Sequence, residues 1–287
     1  MAARQGFKYQ DHVAASFVLM MIADARIKRV ECETADDITL AWQDEGPEYP
    51  EYVQVKTTEG DRSWTQGEIL KRDPKSRAPT SLAEKSLLCD QGAPNALFRI
   101  VSRRSVNRTL KCLTLARDNR QRSKAVSDLS ATLTKKFATT SKNGHDLGFW
   151  AERIVWQVAS GVESLKAVNQ QNLMNLAELH GANPTHSHVK SIYIDLLRMV
   201  DEAASASKVT HAADKTITRA MALEWWNKHL SETEAARQRT AKPYRVKGDV
   251  FFADLHALTE DDIRRALTSY DARFENKMRR SLQLADH

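Results

Sequence analysis

At 287 residues, with 41% hydrophobic and 28% charged side chains, the chain has the make-up of an ordinary soluble globular protein, one large domain or two modest ones. No apolar run reaches the length of a membrane span, and the start, MAARQGFKYQDH, lacks the apolar centre of an export signal, so a cytoplasmic protein with no membrane partner is expected. A formal net charge of +6 favours anionic partners, and three cysteines without Cys-x-x-Cys spacing (Cys32, Cys89, Cys112) read as reduced thiols with no zinc site.

The first predicted element is a helix capped by Asp11 and running to about residue 25, with Val13, Phe17 and Met21 as its apolar stripe beside Ala14 and Val18. Gln10, just ahead of it, either donates to a phosphate or orients a ligand, or is a plain polar residue before a helix. The stretch 30–58, VECETADDITLAWQDEGPEYPEYVQVKTT, reads as three short strands. Gly46-Pro47 makes a hairpin of the last two, and folding about that midpoint sets Asp37 across from Lys56 and Thr39 across from Gln54. A period of two then places Ile38, Leu40, Val53 and Val55 on one face and Asp37, Gln54 and Lys56 on the other. A slip of two residues would keep these faces; a slip of one would not. Glu33, mirrored about Ala35, falls beside Asp37, with Glu31 on the same face. Asp36 falls on the aliphatic side and is the weaker candidate. Acids, an amide and a lysine on one face can hold a divalent cation next to a phosphate; the bland alternative is a solvated sheet face with a lysine salt bridge.

Beyond the hairpin, a polar turn leads past Trp64, a core anchor in preference to a stacking platform, into a helix from Gln66. A basic loop over 71–77 follows, then a helix capped by Ser81, a buried strand over 96–101 and another over 110–116. Arg99, Arg103, Arg104, Arg108, Lys111, Arg117, Arg120, Arg122 and Lys124 make this region basic, suited to duplex phosphates or simply a solvated surface. From residue 147 the pattern is wholly helical: 147–159, 164–179, a helix after Pro184 towards residue 204, and another over 215–238 holding Trp225-Trp226. Residues 242–249 read as a linker or short strand, and Thr259 with Asp262 opens a last helix. His186-x-His188 has the wrong helical spacing for a metal pair. There is no phosphate-cradling glycine loop and no nucleophile elbow.

Glu33, Asp37 and Gln54-Val55-Lys56 resemble the signature of the PD-(D/E)XK nucleases, in the variant where Gln stands for the acid before x-Lys. More narrowly, Gly6-Phe7-Lys8-Tyr9-Gln10 before a helix, then ECETADDI and VQVKTT, is similar to the double-stranded DNA endonuclease domain of bacterial antiphage systems. These are the CBASS effector nucleases, the Lamassu nuclease subunit and nucleases partnered with HerA-type ATPases. The resemblance covers about the first half of the chain. It implies a restriction-endonuclease-like α/β fold, a mixed sheet flanked by helices over residues 1–140, followed by an α-helical domain over 141–287 for assembly or partner docking.

The implied function is metal-dependent hydrolysis of double-stranded DNA with little sequence preference, as a defence effector. Asp37, Gln54 through its side-chain oxygen and the Val55 carbonyl would hold Mg²⁺, with Mn²⁺ as an alternative. Glu33 would take a second ion or an ordered water, and the ion would polarise the phosphate and generate hydroxide. Lys56 would hold that nucleophile and offset charge in the transition state. Gln10, Arg99, Arg103 and Arg104 are the DNA-contact candidates. A homo-oligomer, a tetramer in preference, and a separate SMC-like or HerA-like ATPase or sensor are the expected partners. The competing reading is a catalytically inactive nuclease-fold subunit that binds DNA or acts as a scaffold.

Overall fold

The computed structural model describes residues 2–251 apart from 59, 77, 120, 160, 208, 241–243 and 247–248, with side chains described between 8 and 235. The chain forms two compact units, Met1–Glu234 and Ala235–His287. The first opens with helix α1 (Ala2–Ala23) and three strands, β1 (Ile27–Cys32), β2 (Ile38–Trp42) and β3 (Tyr49–Lys56). Short helices α2 (Gln66–Ile69) and α3 (Leu82–Leu88) lead to β4 (Leu97–Ser102), a 3-10 turn (Arg108–Thr114), α4 (Arg122–Lys136) and α5 (Leu147–Arg153). Then come β5 (Ile154–Val158), α6 (Val162–Leu179), α7 (His186–Ser205), a second 3-10 turn (Ala212–Lys215), β6 (Thr216–Thr218) and α8 (Arg219–Thr240). The second unit contains an antiparallel pair, β7 (Tyr244–Val246) and β8 (Asp249–Phe251).

The six strands of the first unit make one sheet in the order β5-β4-β3-β2-β1-β6. β1, β2 and β3 are joined by short turns and pair antiparallel, whereas β4 and β5, reached through helical crossovers, run parallel to β3. Strand alternation divides the core. Ile38, Leu40, Val53 and Val55 pack with α1, α6, α7 and Trp226 on one side, while Tyr52, Phe98, Ile100, Trp150 and Trp156 fill the other side under α2 to α5. Capping boxes start the short helices, Thr65 with Glu68 for α2 and Ser81 with Glu84 for α3. A buried network joins the helices of the first side: Asn169 donates to the His12 carbonyl and the Tyr193 hydroxyl, and Ser16 donates to Asn169 at 2.7 Å.

The hairpin closes two residues away from the expected register. Ile38 faces Val53, Thr39 faces Tyr52 and Leu40 faces Glu51, so the inside and outside faces are kept. The division at 140/141 is not where the chain separates: β5 and β6, both beyond it, are strands of the central sheet, and the division falls after Glu234. The helix expected over 147–159 stops at Arg153, because Ile154-Val155-Trp156 is β-branched and aromatic and pairs with β4. Where a strand was expected over 110–116 the chain forms the 3-10 turn Arg108–Thr114, and the helix expected from 215 begins only after β6. The capping pair Thr259 and Asp262 lies outside the described residues.

Glu51 is wholly buried in β3, yet it is charged and fully engaged. Its Oε1 accepts from Arg99 Nε at 3.0 Å and Arg117 Nη2 at 2.6 Å, and its Oε2 accepts from Trp42 Nε1 at 3.0 Å. Burial alone would raise its carboxyl pKa, but the two guanidinium groups hold it below the usual range. Arg117 also donates to the carbonyls of Phe98 and Arg153, and the buried Arg122 to those of Leu115, Ala151, Glu152 and Ile154. These arginines fasten the sheet to the helices beside it.

Candidate functional site

The site lies where β2 and β3 diverge. One step past the last paired residues, Ile38 and Val53, the register sets Asp37 opposite Gln54. Asp37 Oδ2 accepts the Val55 N–H at 2.7 Å, so its carboxylate closes the gap between the strands. The Asp37 carbonyl accepts from Gln10 Nε2 at 3.1 Å and from the Glu33 N–H at 2.9 Å, which fixes the turn from α1 and from the end of β1. The Gln10 amide therefore holds the catalytic-candidate turn. Gln54 is 5% exposed, and its Oε1 is buried without a hydrogen-bond partner. Lys56, half-buried, ends β3 beyond it, where the Arg103 N–H donates to its carbonyl at 3.2 Å. The Val55 side chain packs in the core, leaving its backbone to the site.

Asp36 belongs to this group, against the expectation. Residues 33–37 are a bend, not strand, so the period of two does not extend to them. Its Oδ1 accepts the Asp37 N–H at 3.0 Å, and its Oδ2 is buried without a partner. Burial, then the neighbouring Asp37 charge, push its carboxyl up to about 7 against the pull of the Asp37 N–H, Lys56 and Cys89. Thr34-Ala35-Asp36-Asp37 is a turn-forming composition, and that was the signal against carrying strand alternation through it.

Glu33 touches Asp37 through its backbone N–H, and its side chain lies against a separate cavity. It is the non-glycine residue of positive φ among those described, at 52°. It lines a cavity of about 570 Å³ with Asp11, Asp201 and Lys215, on the side covered by α1 and α7, with Lys215 Nζ 4.0 Å from its Oε2. Burial, then Asp201 and Glu33, raise Asp11 to about 6. Glu31 remains on the strand face and accepts from Arg29 at 2.7 Å and Thr34 at 3.1 Å. Among the described residues no three His, Cys, Asp or Glu side chains converge as metal ligands, His186 and His188 included; the Asp37 group has two acids and an amide.

Of the three arginine candidates, Arg99 is committed to Glu51 and Gln157. Arg104 has a side chain only 9% exposed, donates to the Arg62 and Ser63 carbonyls, pairs with Glu68 at 3.0 Å and lies 4.7 Å over the Trp64 ring. Arg103 is half-buried, with its guanidinium 6.0 Å from the Tyr9 ring. Arg104 thus pins the segment after Lys56, and Trp64 is an anchor, bridged to Val106 and packed near Trp156. Arg104→Ala is expected to lower stability by roughly 1.5–3 kcal/mol, the worth of hydrogen bonds to a charged group, as measured by denaturant unfolding; an unchanged midpoint would show that these contacts do not hold the segment.

A mixed sheet between two helical layers, with acids, an amide and a lysine where two strands part, defines an α/β protein with a polar site at the strand ends. The model of the family "Cap4, dsDNA endonuclease domain" matches residues 1–204. The chain belongs to this family, and the resemblance to nuclease domains of antiphage systems holds. It is 30% identical over 261 residues to "Anti-bacteriophage protein A" of Escherichia coli (strain K12), covering 87% of this chain and 46% of that protein. Its fold is similar to the Cap4 SAVED/CARF-domain containing receptors of Acinetobacter baumannii (15% identity, TM-score 0.51) and Moraxella osloensis (16%, 0.52), in each case over 80% of this chain and 48% of theirs. The chain spans about half the length of these relatives. Among the described residues no helix is long and apolar enough to cross a membrane.

Proposed function

We propose that the chain is a defence-associated endonuclease of the cytoplasm that hydrolyses double-stranded DNA with little sequence preference, using a divalent cation. The observation that carries this reading is the buried, unpartnered Gln54 Oε1 beside Asp37, with Lys56 two residues on. An orphaned buried acceptor is costly unless something satisfies it, and a hard cation does so. Asp37, Gln54 and the Val55 carbonyl would hold Mg²⁺ or Mn²⁺, which supplies Lewis-acid charge at the scissile phosphate when bound. Asp37 is kept in place by the Val55 N–H and by Gln10. Lys56 orients the attacking water and offsets negative charge gathering on the phosphate. Arg103, beside the Tyr9 ring and with its N–H on the Lys56 carbonyl, would contact a phosphate next to the site. The role in defence rests on the family and on the name of the Escherichia coli relative. Control would come from self-association, as a tetramer, and from a separate ATPase or sensor protein.

The test is incubation of the purified chain with supercoiled plasmid at low salt. Nicked and linear products with Mg²⁺ or Mn²⁺, absent with EDTA, are expected for plasmids of unrelated sequence. Duplex binding without cleavage under every divalent ion would favour the inactive DNA-binding or scaffolding subunit instead.

A further inference from the structure

We infer that Asp36 is the second carboxylate of the cation site and supplies the charge that position 54, a glutamine, lacks. The inference rests on the divalent-cation reading above. Asp37, Gln54 and Val55 offer a cation one formal negative charge and two neutral oxygens. Affinity for a hard divalent cation depends on how many charged oxygens surround it. Two buried acceptors lack a hydrogen-bond partner, Asp36 Oδ2 in the turn and Gln54 Oε1 on β3, and Asp37 follows the first in sequence and faces the second in register. Gln54, 95% buried, reaches the group from β3, independently of the acidic turn. Asp36 is held for the role: the Asp37 N–H fixes its Oδ1 at 3.0 Å, and the Cys89 thiol lies against the same carboxylate. Glu33, the other acid that could have made up the charge, is turned into the Asp11, Asp201 and Lys215 cavity.

Two half-buried carboxylates adjacent in sequence with no cation between them repel each other. Asp36 therefore destabilises the metal-free fold and strengthens metal binding, and these opposite signs separate a ligand from a structural residue. The experiment is Mn²⁺ titration of the full chain without DNA, followed by electron paramagnetic resonance, together with thermal unfolding without metal. Asp36→Asn is expected to weaken Mn²⁺ binding at least about tenfold, as Asp37→Asn does, while its metal-free unfolding temperature stays at or above that of the wild type. Adding Gln54→Glu to Asp36→Asn is expected to recover most of the lost affinity, because the charge returns from the opposite strand. Asp36→Asn that binds Mn²⁺ like the wild type, while Asp37→Asn does not, overturns the inference and leaves the cation reading standing. A metal-free melting temperature that falls, with no recovery by Gln54→Glu, also overturns it. Wild-type protein that takes up no Mn²⁺ at millimolar concentration sinks the cation reading itself.

Discussion

Lys56→Ala is expected to reduce metal-dependent plasmid cleavage by about 10²–10³-fold, the loss seen when one preorganised charge-stabilising group is removed from a transition state. Lys56 sits at the end of β3, two residues beyond Gln54, and its backbone is held by β4 pairing at Ser102 and by the Arg103 N–H. Among the described residues its Nζ enters no ion pair within 4.0 Å, so truncation breaks no direct salt bridge. Folding should survive, and circular dichroism with thermal unfolding checks it. Lys56→Arg should remain impaired, because a planar guanidinium does not replace a compact ammonium at a single oxygen. Cleavage by Lys56→Ala at the wild-type rate would remove this lysine from the chemistry.

Glu51→Ala carries the largest expected effect on stability, a loss of about 3–5 kcal/mol, the range for removing one partner of a buried ion pair. Arg99 and Arg117, with side chains 16% and 26% exposed, would lose their shared carboxylate, and the Trp42 indole its acceptor. For a unit of this size each kcal/mol moves the melting temperature by about 2–4 °C, so a drop on the order of 10 °C should appear in a thermal scan. Glu51→Gln should fall between, since it still accepts from Trp42 and one arginine. A shift under about 2 °C in Glu51→Ala would mean that the guanidinium groups find water or other acceptors easily.

The fold's first half was legible because alternation in Ile38–Trp42 and in Val53–Val55 reports burial directly, and that pattern survives a two-residue error in register. The turn itself was not legible. Strand period says nothing about a bend, so the alternation that made Asp36 the weaker candidate does not reach it, and no residue type announces that Glu33 adopts φ 52°. The arginine run misled for a different reason: composition counts guanidinium groups but not their partners. Arg99, Arg104, Arg117 and Arg122 are spent on Glu51, Glu68 and backbone carbonyls. The short strands β5 and β6 were hidden in helical surroundings, and only the pairing with β4 and β1 reveals them.

β6 has a practical consequence. It returns from position 216 to cover the free side of β1, pairing Arg29 with Thr218 and Glu31 with Thr216, and Lys215 just before it reaches Glu33. The family match ends at residue 204, twelve residues short of this strand. A fragment cut at that limit would uncover the β1 edge, whose N–H and C=O groups would then be a template for another chain. It would also take the buried ammonium of Lys215 from beside the acidic turn. Self-association of such a fragment would report a raw strand edge rather than the assembly of the intact protein, so the chain boundary belongs beyond α8.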